Sequence, residues 1–268
     1  MTKKGIGELG TKLFSSLSES NKNIFTVEDA ARVLNRKKSD VIKLLHDLAK
    51  KEWIMRLSKG KYLILPLEAG VEPKFTEHEF VIASHLVHPY YIGYWSALNY
   101  YGFTEQVPRT VFVATPKRKR GISIFGVEYK FITLSKKKFF GYEKVWIGSN
   151  LVVLSSKEKT IIDCLDHPEY CGELTEAAKG LWNAREEISF KTLFDYAKRI
   201  GNNAVLKRLG YLLELFELEP ELAGKIKAML SKSYSPLDPT KPRKGKYNSK
   251  WKLLLNVSER DLTEWREH

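Results

Sequence analysis

Residues 24–65, IFTVEDAARVLNRKKSDVIKLLHDLAKKEWIMRLSKGKYLIL, carry two runs with helical spacing followed at once by two strand-like runs, an order few folds accommodate in so short a stretch. Thr26 stands three residues before Asp29, the acidic form of a capping box, and Val27, Ala30, Ala31 and Leu34 repeat at helical spacing. Asn35 and Arg36 interrupt the pattern. Val41, Leu44, Leu45 and Leu48 then place one apolar face on a second helix, whose other face holds Ser39, Asp40, Lys43, Asp47 and Lys50. After Trp53, IMRL and KYLIL predict a hairpin turned by Ser58, Lys59 and Gly60. The sum is a winged helix-turn-helix.

Such a fold delivers the start of its second helix to a major groove. Here that start is basic: Arg36, Lys37, Lys38, Ser39 and Lys43 are the candidate contacts, joined by Arg56, Lys59 and Lys61 on the hairpin. Between residues 36 and 61 nine Lys/Arg face three Asp/Glu, a net of +6. The competing reading is a helix pair that meets other proteins, its lysines merely solvated.

The 268 residues suit two domains, and 43% hydrophobic content is enough for real cores. A net charge of +13 favours a polyanionic partner. With no apolar run of membrane-spanning length, no signal-peptide core in MTKKGIGELGTKL and only two cysteines, the expectation is a cytoplasmic protein without membrane contact. Ile6, Leu9, Leu13, Phe14 and Leu17 predict a first helix. Prolines and a glycine at 66–75 predict a linker, so the expected domains are 1–70, a winged helix-turn-helix, and 71–268.

In the second domain Phe80, Val81, Ala83, Ser84, Leu86 and Val87 predict a helix closed by His88 and Pro89. The stretch YYIGYWSALNYYGFTEQVPRTVFVAT joins a short helix, ended by Gly102, to a half-buried strand. Its aromatics read as core in preference to base-stacking groups. Lys117, Arg118, Lys119 and Arg120 follow as a hairpin loop, and with Arg109 they form a second basic patch: nine Lys/Arg against Glu128 between 109 and 138. The patch suits phosphate contact, an acidic partner or plain solvation. In SSKEKTIIDCLDHPEYCG, Ser155 and Glu158 form a capping box for a helix that Pro168 ends.

The basic winged segment, YWSALNYYGFTEQVPRTVFVAT with its basic loop, and EKTIIDCLDHPEYCG together resemble the AbiE-type antitoxins of type IV toxin-antitoxin systems, over about residues 10–257. The resemblance implies a transcriptional autorepressor that binds repeats in its own promoter as double-stranded DNA. It also implies a second domain that counteracts a cognate nucleotidyltransferase toxin, without requiring a stable complex. The basic C-terminal residues Lys241, Arg243, Lys244, Lys246, Lys250 and Lys252 have no role in that expectation.

Cys164, His167 and Cys171 have a spacing that could supply three zinc ligands, but no second hook accompanies them, so no metal and no cofactor are expected. Asp163, Asp166, Glu169 and Glu173 read as a solvated helix face. No paired D-x-D carboxylates and no phosphate loop are present, so no catalysis is expected. From Leu174 to Leu230 the apolar spacing is helical, and WKLLLNV is expected to return as a last strand of the sheet. The predicted architecture is α+β: an N-terminal winged helix-turn-helix, then an α+β domain with a mostly antiparallel sheet and a helical C-terminal layer. The alternative is an RNA-binding or toxin-binding module with a structural winged helix.

Overall fold

The computed structural model describes residues 5–65 and 77–267, so the expected linker at 66–75 lies outside the described residues. The chain divides into two compact units, Met1–His88 and Pro89–His268. That division differs from the expected boundary after residue 70.

In the first unit α1 (Glu8–Glu19) precedes β1 (Ile24–Thr26), α2 (Val27–Leu34), α3 (Lys38–Lys50), β2 (Ile54–Ser58), β3 (Lys61–Ile64) and α4 (Glu79–Leu86). Thr26 starts α2 by the predicted capping box: its hydroxyl accepts from Asp29 N at 3.1 Å and its N–H donates to Asp29 Oδ2 at 2.8 Å. Lys22 pairs with the same carboxylate at 2.7 Å. Asn35 ends α2 in the left-handed region at φ 50°, which its short side chain tolerates better than most and which turns the chain into α3. Leu13, Leu17, Ala30, Val41, Leu45 and Leu48 close the core between the three helices, with Phe25, Ile54 and Tyr62 covering it from the sheet. The sheet has order β1-β3-β2, antiparallel throughout. Gly60, at φ 73°, makes the wing turn. The helix expected to open the second domain, α4, packs instead against β2.

The second unit contains β4 (Tyr91–Ile92), α5 (Tyr94–Tyr100), β5 (Thr110–Thr115), β6 (Ile122–Ile124), β7 (Val127–Thr133), β8 (Tyr142–Ile147) and β9 (Asn150–Ser155). Then come α6 (Lys157–Asp166), α7 (Glu173–Ala184), α8 (Phe190–Ile200), α9 (Asn203–Leu215) and α10 (Pro220–Lys227). After them come β10 (Ser235–Pro236), β11 (Lys246–Asn248), β12 (Leu253–Leu255) and α11 (Glu259–Thr263), with a 3-10 turn over Glu264–Glu267. Six strands form one sheet in the order β6-β7-β5-β4-β9-β8, with three of its five pairings antiparallel and β5–β7 and β4–β9 parallel. Helices α6 to α9 supply the larger core, through Ile161, Leu165, Leu181, Leu193, Leu209 and Leu212.

Four local expectations are corrected here. TVFVAT is buried on both faces and not half-buried, since Val111 and Val113 on one face and Phe112 and Ala114 on the other are all covered. The cap of α6 is Ser156, whose hydroxyl accepts from Lys159 N at 3.2 Å. The Ser155 hydroxyl instead donates to Ile92 O of β4 at 3.4 Å and lies 2.6 Å from the Thr160 hydroxyl of α6. The run Lys117–Arg120 is not a hairpin loop, since β5 pairs in parallel with β7 and the run must cross to β6 beyond it. Finally, β12 joins a separate sheet of order β10-β12-β11 and does not extend the six-stranded one.

Candidate nucleic-acid interface

Helix α3 owes its orientation to the buried stripe Val41, Leu45 and Leu48, which leaves the opposite face in solvent. Arg36, Lys37, Lys38, Ser39 and Lys43 are all exposed on that side or just before it. Lys37 is the N-cap and offers no side-chain acceptor, so the first N–H groups of α3 stay available to an anion. On the wing Arg56 and Lys59 are exposed. An open groove between α3 and the wing is lined by Lys38, Ile42, Arg56, Lys59 and Lys61. The structure therefore brings most of the predicted cations to one concave surface.

Three of them are already engaged, Arg56 through Nε, which donates to Ser58 O within the wing at 3.3 Å. Lys38 Nζ lies 2.6 Å from Glu28 Oε1, and this hydrogen bond, with the attraction of the ammonium, holds the Glu28 carboxyl below the ordinary carboxylate range. Both groups are exposed, so a phosphate can compete for the lysine. Lys61 is half-buried, with Nζ 3.5 Å from His85 Nδ1 on α4. Burial, then the charges of Lys61 and His88, push the His85 imidazole down to about 4.

That shift has a defined sign. The unfolded chain takes up a proton near pH 6.5, whereas the folded unit keeps His85 neutral down to about 4. The stability it contributes is complete above pH 6.5 and is lost as pH falls from there toward about 4. Urea titrations at a series of pH values should show His85→Gln flattening the acid limb in that window. An acid limb of unaltered slope in the variant would remove His85 as its source.

Sequence reasoning missed Ile42. It is 50% exposed on α3, next to the predicted Lys43, and a large aliphatic group in that place is out of step with the buried stripe. The off-stripe position between Val41 and Lys43 was the available signal.

The second basic patch is divided. Arg109 precedes β5, whereas the basic run leaves the far end of that strand, about 17 Å away at ~3.3 Å per residue. Lys117, Arg118 and Arg120 are exposed, but Lys119 is half-buried with Nζ 5.2 Å from the centroid of the Phe131 ring. Those cations do not converge on one point with Arg109.

The two internal segments singled out in the sequence meet in the core of the second unit. Helices α5 and α6 pack together. The Tyr91 hydroxyl donates to Asp163 Oδ2 at 2.8 Å, and Lys159 Nζ donates to the Tyr91 oxygen at 3.0 Å and to Asp163 Oδ1. Lys159 and Tyr91 are wholly buried. Asp166 accepts from Asn202 at 2.7 Å and pairs with Lys138 at 2.5 Å. The carboxylates Asp163 and Asp166 are thus interior ties and not a solvated face. Cys164 and Cys171 are both buried free thiols, and the Cys171 thiol faces backbone carbonyls, Pro168 O nearest at 3.3 Å. Among the described residues no three His, Cys, Asp or Glu side chains gather as a metal site. Nor is any described helix long and apolar enough to cross a membrane.

Residues 15–64 match the family described as "Transcriptional regulator, AbiEi antitoxin". No curated protein matches the chain. Among solved structures, the crystal structure of the RV2827C protein from Mycobacterium tuberculosis is similar with a TM-score of 0.69 at 14% identity, over 99% of this chain and 97% of that one. At that identity the likeness speaks for the fold alone.

Proposed function

We propose, from the premise that the N-terminal unit belongs to the AbiEi antitoxin family of transcriptional regulators, that this chain represses its own promoter and counteracts a nucleotidyltransferase toxin without catalysis of its own. The observation that carries the DNA reading is the exposed, basic, uncapped start of α3 beside the cations of the wing. Phosphate contacts from Arg36, Lys37, Lys43 and Lys59 would set the register on the duplex, while Ser39 and Ile42 would face base edges. Ile42 would suit a thymine methyl, the one apolar feature of the major-groove code.

Footprinting with the full chain on the DNA upstream of its own gene tests this. The expected result is protection of paired repeats, and absence of protection at low salt would refute autorepression. Ile42→Ala should reduce discrimination between the repeat and a sequence altered at its thymines, by about 1–3 kcal/mol per position read, with the salt dependence unaltered. Equal discrimination by variant and parent would place Ile42 outside the groove.

For neutralisation, the second unit is the proposed carrier, with Lys117, Arg118 and Arg120 as surface candidates and Arg109 excluded by its distance from them. Co-expression of the toxin with a full chain carrying alanine at 117, 118 and 120 separates the two activities. Lost protection with intact repression supports the assignment, and undiminished protection removes that run from it.

A further inference from the structure

We propose that the small C-terminal sheet is a binding surface for single-stranded nucleic acid, with Tyr234 and Tyr247 as stacking platforms for bases and the surrounding cations as phosphate contacts. Tyr247 on β11 is 69% exposed and Tyr234, just before β10, is 43% exposed. Their rings meet edge to face at a centroid distance of 5.0 Å, and Lys252 Nζ lies 5.6 Å from the Tyr234 ring. Tyr247 forgoes most of the burial that normally recovers the apolar area of an aromatic ring, and Tyr234, with Tyr247 edge to face and Lys252 against it, still keeps a large part of its surface in solvent.

The charge around them is one-sided. Between residues 232 and 252 seven Lys/Arg stand against Asp238 alone, a net of +6, and Asp238 is buried. Lys241 pairs with Glu173 and Lys250 with Glu214. Among the described residues Lys232, Arg243, Lys244, Lys246 and Lys252 make no salt bridge. A merely solvated loop would explain the lysines and not the paired tyrosines. A positive track interleaved with exposed aromatic rings is the arrangement that holds a single strand without reading its sequence, because every base has a π face.

The platform is also held in place. The guanidinium of Arg208 donates to Leu237 O at 2.9 Å and Pro236 O at 3.3 Å, and Lys207 donates to Ser233 O, tying down the approach to β10. Asp238 accepts from Leu174 N at 3.0 Å. Trp251 is buried against Gly210, where a β-carbon would strike the indole, and Gly245 leaves no room for one against Leu255 O. These ties order the backbone that carries the two rings, Tyr247 itself pairing with Leu254 of β12, so little backbone freedom is lost when a base stacks.

The test is fluorescence anisotropy of the full chain with short labelled oligouridylate and oligothymidylate, beside a labelled hairpin duplex. Stacking of one base is worth about 1–3 kcal/mol, so Tyr247→Ala should weaken single-strand binding by about 5- to 150-fold, and Tyr247→Phe should retain it. Lys244→Ala with Lys246→Ala should lower the salt slope by about 0.7 for each phosphate no longer neutralised. Tyrosine-dependent binding of either oligonucleotide supports the proposal, a preference for the RNA naming the 2′-hydroxyl as an added contact. Duplex binding through the winged unit should be indifferent to Tyr247→Ala. No single-strand binding by the parent chain, equal loss of duplex and single-strand binding, or displacement of the oligonucleotide by polyglutamate from parent and Tyr247→Ala chain alike would each overturn it. Thermal melts of the variants guard against misfolding.

Discussion

Replacing Arg36, Lys37 and Lys43 together by alanine should lower affinity for the promoter duplex by up to roughly 500-fold at 0.1 M salt and flatten the salt slope by about 2.7. Both figures follow from counterion release, which contributes about 0.9 of a logarithmic unit per neutralised phosphate for each tenfold change in salt. All three side chains are exposed at or near the start of α3, and none of them makes a salt bridge among the described residues. Lys38 behaves differently, because Glu28 competes with phosphate for its ammonium. Glu28→Gln should therefore raise affinity, most at low salt where screening is weakest. Electrophoretic shifts or anisotropy across a salt series read both effects. An unchanged slope in a folded triple variant would move the DNA surface away from α3, and unchanged binding in Glu28→Gln would leave Lys38 out of the interface.

What could be read from the chain and what could not divides by range. The capping box at Thr26, the stripe on α3 and the turn at Gly60 are set by residues within a few positions of one another, so periodicity and turn chemistry reveal them. The three residues of β1 form a strand only because β3 pairs with them from the far side of two helices, and nothing local marks them. The crossing from β5 to β6 depends on the parallel pairing of β5 with β7, which alternation along either strand cannot disclose. Ser155 and Ser156 are equally good caps in isolation, and the choice is made by the sheet, which engages Ser155. In the candidate interface, residue types were legible and engagement was not: Lys38 and Lys61 are held by Glu28 and His85, partners from other elements.

The same limit hides the group whose loss should be most damaging. Lys159 sits in the first turn of α6 within SSKEKT, a sequence that reads as solvent-facing, yet it is wholly buried under Tyr91 and Phe140. Asp163, one turn on, completes the network through both oxygens. Its place near the C-terminal end of α6 is unfavourable to a carboxylate by about 0.3–1 kcal/mol. Burial pushes the Asp163 carboxyl up, against the pull of Lys159 and Tyr91. Removing one partner of a buried pair leaves the other uncompensated in the interior, at about 3–5 kcal/mol. Asp163→Ala is therefore expected to destabilise the second unit by that amount in urea unfolding, with Asp163→Asn, which keeps an acceptor for the tyrosine, less damaging. Removing the whole network as Lys159→Met, Asp163→Leu and Tyr91→Phe should restore most of the loss, because a desolvated ion pair is often no more stabilising than apolar groups of similar volume. If the single alanine costs less than about 1 kcal/mol, water or another group must be satisfying Lys159. If the triple variant is no better than the single, shape and not charge is what the site requires.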